Sequence, residues 1–202
     1  MESAEPANVL IVGPTNSGKS KYVVDQLRGP YYKKFDYIVL LCPTYIYNRT
    51  YNNFALGDNR FFIVIPEQDE VEFELRQLTR LFEGTNTLFI LDDCAATKDV
   101  KNRVSQLVSL GFSARHLGIS VWVLTQQFTS IAKAFRENVA KIVTFYNPSF
   151  KDMQAMFDSY AGDLSTEDRK DLVRKLKSNK YSYLVFNLRF PYKIQFVRRD
   201  GN

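Results

Sequence analysis

Gly13-Pro14-Thr15-Asn16-Ser17-Gly18-Lys19-Ser20 follows the pattern G-x-x-x-x-G-K-[ST], the phosphate-binding loop. Its chemistry is backbone geometry plus two side chains. The glycines let the chain curl until consecutive N–H groups converge on an anion, with Pro14, Thr15, Asn16 and Ser17 supplying the backbone between them. The Lys19 ammonium reaches the β- and γ-phosphates, and the Ser20 hydroxyl ligates Mg²⁺. With glycine at its average frequency, the pattern arises by chance in about 1% of chains this long, so the flanking sequence decides. Upstream, Asn8-Val9-Leu10-Ile11-Val12 is an apolar run ending at the loop. Downstream, Lys21 to Leu27 places Val23, Val24 and Leu27 on one helical face. Strand, loop and helix is the context the motif requires, and the helix adds the positive end of its dipole. An incidental glycine-rich turn does not account for this surround.

Outward from that unit, apolar runs alternate with helical patterns, as in a mostly parallel sheet covered on both faces. Strands are expected at Tyr37 to Cys42, Phe61 to Ile65, Asn86 to Leu91, Ile119 to Leu124 and Lys141 to Phe145. Helical spacing runs through Glu70 to Phe82, through Val100, Val104, Leu107, Val108 and Gly111, and through Met153, Met156, Phe157 and Tyr160. The last is a core stripe rather than a cofactor contact. Ser165 caps a further helix, with Asp168 at the capping-box position and Leu164 as the staple. Tyr181 to Phe186 and Tyr192 to Val197 are joined by so few residues that they pair antiparallel. Pro43 to Arg60 reads as a long loop rich in Tyr and Asn. The 202 residues form a single α/β domain spanning 1–202, with 1–7 as a flexible arm.

Composition narrows the function classes. Hydrophobic residues make up 45% and charged residues 24%, as in a globular domain. No apolar run has the length to span a membrane. The acidic, polar start Met-Glu-Ser-Ala-Glu-Pro-Ala does not read as a signal peptide, so an intracellular chain that is not secreted is expected. The Asn48-Arg49-Thr50 sequon is then a coincidence. Cys42 and Cys94 are the only cysteines and His116 the only histidine, so free buried thiols are expected and a zinc site is not. The net charge of +5 favours a polyanionic partner without separating nucleic acid from nucleotide.

Thr87-Leu88-Phe89-Ile90-Leu91-Asp92-Asp93 is an apolar strand ending in carboxylates, the form of the Mg²⁺ and water site in phosphate-loop NTPases. Asp92 would hold the metal, through water or with Ser20, and Asp93 would polarise the attacking water as general base. Two adjacent like charges require the metal or a hydrogen-bond network to stay ionised together. Leu124-Thr125-Gln126-Gln127 ends another buried strand, where a polar amide would meet the γ-phosphate or the water; the alternative is a simple strand-to-loop exit. Ligands of open α/β sheets bind at that edge. Arg115, and as a second candidate Arg136, would stabilise transition-state charge; the alternative for each is a surface or helix-dipole role.

Together these residues resemble the FtsK/HerA-type motor ATPases, and most of all the genome-packaging ATPases of poxviruses and other large DNA viruses, virophages and Polinton-type elements. Four features carry the resemblance: Gly13 to Ser20; Phe89-Ile90-Leu91-Asp92-Asp93; Ala114-Arg115-His116-Leu117-Gly118-Ile119-Ser120 leading into Leu124-Thr125-Gln126-Gln127; and Phe135-Arg136-Glu137-Asn138. It covers about residues 8–160, with the final third fitting loosely. It implies a RecA-like sheet of the ASCE type, with the strand before Gln126 between the two nucleotide-motif strands. It implies an ATPase using ATP and Mg²⁺ that packages a viral genome into a preformed capsid in the infected cell. It also implies a homo-oligomeric ring, commonly a hexamer, around double-stranded DNA, with a capsid or vertex protein as partner. By position, Lys19 and Ser20 bind phosphates and metal, Asp92 the metal, Asp93 is the base, Gln126 the sensor and Arg115 the trans-acting arginine. Where many ring motors carry Glu, this chain has Asp93, one methylene shorter, though packaging relatives share it.

The DNA-orienting winged-helix domain of bacterial FtsK has no counterpart in these residues, so grip on DNA is expected to come from this domain. Two stretches are candidates: Arg169, Lys170, Arg174, Lys175, Lys177 and Lys180, and the loop from Tyr45 to Arg60. A solvated surface explains both equally well. A motor indifferent to sequence would contact backbone phosphates, with salt-sensitive binding. Two rival readings remain: a thymidine-kinase-like enzyme, which usually carries a four-cysteine zinc site that two cysteines cannot build, and a nucleotide-binding switch protein with little hydrolysis.

Overall fold

The computed structural model describes residues 5, 7–55, 58–94 and 105–199. The expected flexible arm at 1–7 therefore lies mostly outside the described residues. β1 (Val9–Val12) is buried along its whole length. Its side chains alternate between two apolar layers, Leu10 and Val12 in one and Val9 and Ile11 in the other, the two-residue period of a strand. The same split runs through β2 (Tyr37–Leu41), β4 (Thr87–Asp92) and β5 (Ile119–Thr125). Val39, Phe89 and Val121 face the first layer; Leu40, Ile90 and Trp122 face the second. A sheet covered on both sides buries every residue of its central strands, which is why they read as unbroken apolar runs.

With β3 (Phe61–Val64), β6 (Lys141–Phe145), β7 (Tyr183–Asn187) and β8 (Lys193–Val197), these strands form one eight-stranded sheet in the order β3-β2-β4-β5-β1-β6-β7-β8. All pairings from β3 to β6 are parallel, and β7 and β8 add an antiparallel pair at one edge. β5 lies between β1 and β4, with Thr125 level with Val12 and Leu124 level with Asp92. This is the order a RecA-like, ASCE-type sheet requires.

The helices follow the sequence periods. α1 (Lys19–Arg28) buries Val23, Val24 and Leu27. The first apolar layer is covered by α3 (Val71–Phe82), α4 (Gln106–Ser113), α5 (Lys133–Arg136) and α6 (Phe150–Tyr160) through Leu75, Leu107, Phe135 and Met156. The apolar repeat that begins at Val100 falls outside the described residues until Ser105, which caps α4 by accepting the Val108 N–H at 3.2 Å. Ser165 caps α7 (Thr166–Ser178) through the Asp168 N–H at 3.1 Å, as the capping box requires.

Two segments differ from the sequence reading. Pro43 to Arg60 is not an irregular loop throughout: it holds a 3-10 turn at Tyr45–Tyr47 and α2 (Arg49–Ala55). α2 is short enough to leave little apolar period. It starts where the Asn48 side chain accepts the Thr50 N–H at 3.2 Å, a local cap, and it is anchored by the fully buried Tyr51. The second difference is Tyr181, which belongs to the turn before β7 and not to the strand. The Asn179 side chain accepts the Tyr181 N–H at 3.1 Å, and the Asn179 carbonyl accepts that of Ser182 at 3.2 Å.

Candidate active site

The loop between β1 and α1 is tied to the sheet by the Gly13 N–H, which donates to the Thr125 carbonyl at 3.1 Å. Asn16 and Gly18 adopt φ of 61° and 104°, the left-handed turns that aim successive N–H groups inward. A methyl group on Gly13 would lie 2.6 Å from Ser17 Oγ and 2.9 Å from Phe145 Cβ, so the tight approach admits only glycine. Lys19 Nζ donates to the Gly13 carbonyl at 2.7 Å and the Pro14 carbonyl at 3.1 Å, curling back over its own loop. Burial pulls the Lys19 pKa below the usual lysine range, while Asp92 and Asp93 oppose the shift.

The carboxylates at the end of β4 reach this loop across β5. Ser20 Oγ donates to Asp92 Oδ2 at 2.9 Å. The same oxygen accepts from the Tyr51 hydroxyl at 2.9 Å and from Asn48 Nδ2 at 3.4 Å. Burial first, and Asp93 second, push the Asp92 pKa above the ordinary carboxylate range; the hydrogen bonds from Tyr51 and Ser20 and the charge of Lys19 pull it back. Asp93 turns away with φ of 59°, a conformation aspartate tolerates better than most residues, and accepts from Thr44 Oγ1 at 3.0 Å. The two adjacent acids thus face separate donors.

Three of those donors, Thr44, Asn48 and Tyr51, lie in the β2–β3 connection and were not singled out in the sequence. Only Asn48 left a signal there. An Asn placed to cap a helix also matches the glycosylation sequon, and here that side chain points at the acids. A cavity of about 670 Å³ opens between this connection and the phosphate-binding loop, and Lys180 and Tyr181 close its far side. Ser20 and Asp92 offer hard oxygen donors side by side, which suits an Mg²⁺ ion that keeps several waters and takes its remaining ligands from phosphates. Among the described residues, no group of three or more His, Cys, Asp or Glu side chains is placed to hold a metal by itself. Cys42 and Cys94 are free and buried.

Gln126 leaves β5 between the loop and the acids. It is exposed, and its carbonyl accepts from Asn147 Nδ2 at 3.1 Å. The buried Asp152 holds the adjoining turn through the N–H groups of Phe128 at 2.9 Å and Thr129 at 3.2 Å. Arg115 sits elsewhere. It is exposed and precedes β5, so it lies at the opposite edge of the sheet, beside Asn8 and Asn138. A seven-residue strand separates the edges by on the order of 20 Å, so Arg115 does not serve the nucleotide of its own chain. Arg136 is engaged within its own chain: Nε donates to the Ile131 carbonyl at 2.9 Å and the guanidinium lies 4.3 Å from the Phe128 ring centre. In the basic stretch of α7, Arg169, Lys170, Arg174 and Lys175 all pair with nearby acids.

A family model described as Poxvirus A32 protein matches residues 2–187. Among curated proteins, no sequence matches the chain. Solved structures share the fold. The DNA-packaging ATPase B204 of Sulfolobus turreted icosahedral virus superimposes with a TM-score of 0.72 at 20% identity, over 98% of this chain and 100% of that one. B204 of Sulfolobus turreted icosahedral virus 2, in complex with AMPPCP, gives 0.71 at 16% identity over 98% and 100%. The pCW3 conjugation coupling protein TcpA, with ATPγS, gives 0.56 at 16% identity over 94% of this chain and 59% of that one.

Proposed function

We propose, on the premise that the chain belongs to the Poxvirus A32 protein family, that it is an ATP-hydrolysing motor that translocates double-stranded DNA and packages a viral genome. The observation that carries this reading is the 2.9 Å contact between Ser20 Oγ and Asp92 Oδ2, which joins the phosphate-binding loop to the paired acids across β5. The likeness to B204 proteins in complex with ATPγS and AMPPCP supports a nucleotide in that cavity.

Each residue then has a task. The N–H groups of Thr15, Asn16, Gly18, Lys19 and Ser20 wrap the β-phosphate, and Lys19 exchanges its two carbonyl partners for phosphate oxygens. Ser20 and Asp92 would hold Mg²⁺, which would supply positive charge to the bound triphosphate. Asp93 takes the proton of the attacking water once Thr44 yields it. Gln126, exposed where the chain leaves β5, orients that water. Arg115 reaches the γ-phosphate of a neighbouring copy in a ring, commonly of six, and Arg136 stays structural. Double-stranded DNA is held through its backbone phosphates, and a capsid or vertex protein receives the motor at the assembly site of the infected cell.

The test is ATPase rate against protein concentration, with and without double-stranded DNA. Sites completed by a neighbour give specific activity that rises steeply with concentration and rises again with DNA. Specific activity independent of both would contradict the motor.

A further inference from the structure

We propose that Tyr181 is the nucleoside-binding residue of this site, a platform against which the base stacks; the proposal rests on the reading that the loop at 13–20 holds a nucleoside triphosphate. The triphosphate has a direction in this cavity. Its metal-bearing end faces Ser20 and Asp92, and Asp92 belongs to β4, two strands from β1 on one side. The sugar and base must leave on the other side. There β7 stands two strands from β1 in the opposite direction, and Tyr181 lies in the turn that enters it.

The ring is placed for this task. A methyl group on Gly18 would meet Tyr181 Cδ1 and Phe145 Cε1, both at 3.5 Å, so Tyr181 lies directly against the phosphate-binding loop. It still keeps 36% of its surface open and lines the cavity. The turn that carries it is fixed by the two bonds to Asn179, so little ordering remains when a base arrives. Lys180 Nζ lies over the ring, 5.3 Å from its centre, so a base stacks on that face only once this flexible side chain swings aside. Aromatic rings stack on any base through its π-face. Tyr47 also lines the cavity, but it belongs to the β2–β3 connection beside the acids, at the terminal-phosphate end.

The experiment is calorimetric titration of the full chain with ATP and, separately, with inorganic tripolyphosphate, both with Mg²⁺. Tripolyphosphate fills the phosphate subsites and has no base. Tyr181→Ala is expected to weaken ATP about tenfold or more and to leave tripolyphosphate within about twofold, whereas Tyr181→Phe keeps both. Equal weakening of both ligands would overturn the proposal, since the ring would then only support the loop. Unchanged ATP affinity would also overturn it, and a loss in Tyr47→Ala instead would move the base to the other wall. If the unaltered chain binds neither ligand, the phosphate-loop reading fails and takes the proposal with it.

Discussion

The two walls of the nucleotide cavity are built by opposite means. The loop at 13–20 is a wall of backbone: its left-handed turns at Asn16 and Gly18 and its bond from Gly13 to Thr125 depend on conformation, and Lys19 and Ser20 supply the side-chain chemistry. The β2–β3 connection is a wall of side chains, in which Thr44, Asn48 and Tyr51 each lend a polar hydrogen to Asp93, Ser20 or Asp92. A backbone wall constrains residue type at fixed spacing. A side-chain wall constrains only that some donor be present, and several residue types at several spacings meet that need.

The contrast predicts different sensitivities. The largest effect belongs to the acid between the walls: Asp93→Ala should lower kcat by about 10²- to 10⁴-fold while ATP still binds, measured by phosphate release and calorimetry. Next, Gly13→Ala should weaken ATP by about tenfold or more, because the added methyl has no room and overpacking costs about 1–3 kcal/mol. Thr15→Ala, which removes an exposed side chain from the same loop, should change binding little. Equal effects from the two would break the idea of a backbone wall.

On the other wall, Tyr51→Phe keeps the buried ring and removes one donor from a buried carboxylate, at a cost of about 1–3 kcal/mol of stability. Thermal unfolding would show the loss, and Mg²⁺ titration of the ATPase should show a raised metal requirement. Cys42 stands at the root of this wall, where burial pushes its thiol up to about 12. The folded protein should therefore hold almost no Cys42 thiolate at pH 8, and alkylation there should be slow until the chain is unfolded. The smallest effect is expected for Lys175→Ala, which breaks an exposed pair with Asp171 and should shift stability by less than about 0.5 kcal/mol.

The same contrast explains what could be read before the fold was known. The strands announced themselves because burial on both faces forces long apolar runs. The loop did so because only glycine fits at Gly13. Asp92 and Asp93 were legible as polar residues closing an apolar strand. The placement of β5 between β1 and β4 is not contained in any local pattern; it came through resemblance, by way of Arg115, Gly118 and Gln126, and the sheet order agrees. α2 escaped because a helix of seven residues carries too little period. Tyr51 escaped with it, since a tyrosine in a polar segment gives no sign that its hydroxyl will end on a buried carboxylate. The basic stretch at 169–180 suggested a DNA surface by count alone, whereas four of its charges are met by acids nearby.

The central claim is that both walls close on one metal-bound triphosphate. A crystal structure of the chain with Mg²⁺ and a non-hydrolysable ATP analogue tests it most directly. The account requires the β- and γ-phosphates within the loop at 13–20, Lys19 turned from its own carbonyls onto them, and one metal touching the Ser20 hydroxyl with the Asp92 carboxylate in its coordination or water shell. A polyphosphate bound away from Lys19, or a metal that ignores both Ser20 and Asp92, would contradict it.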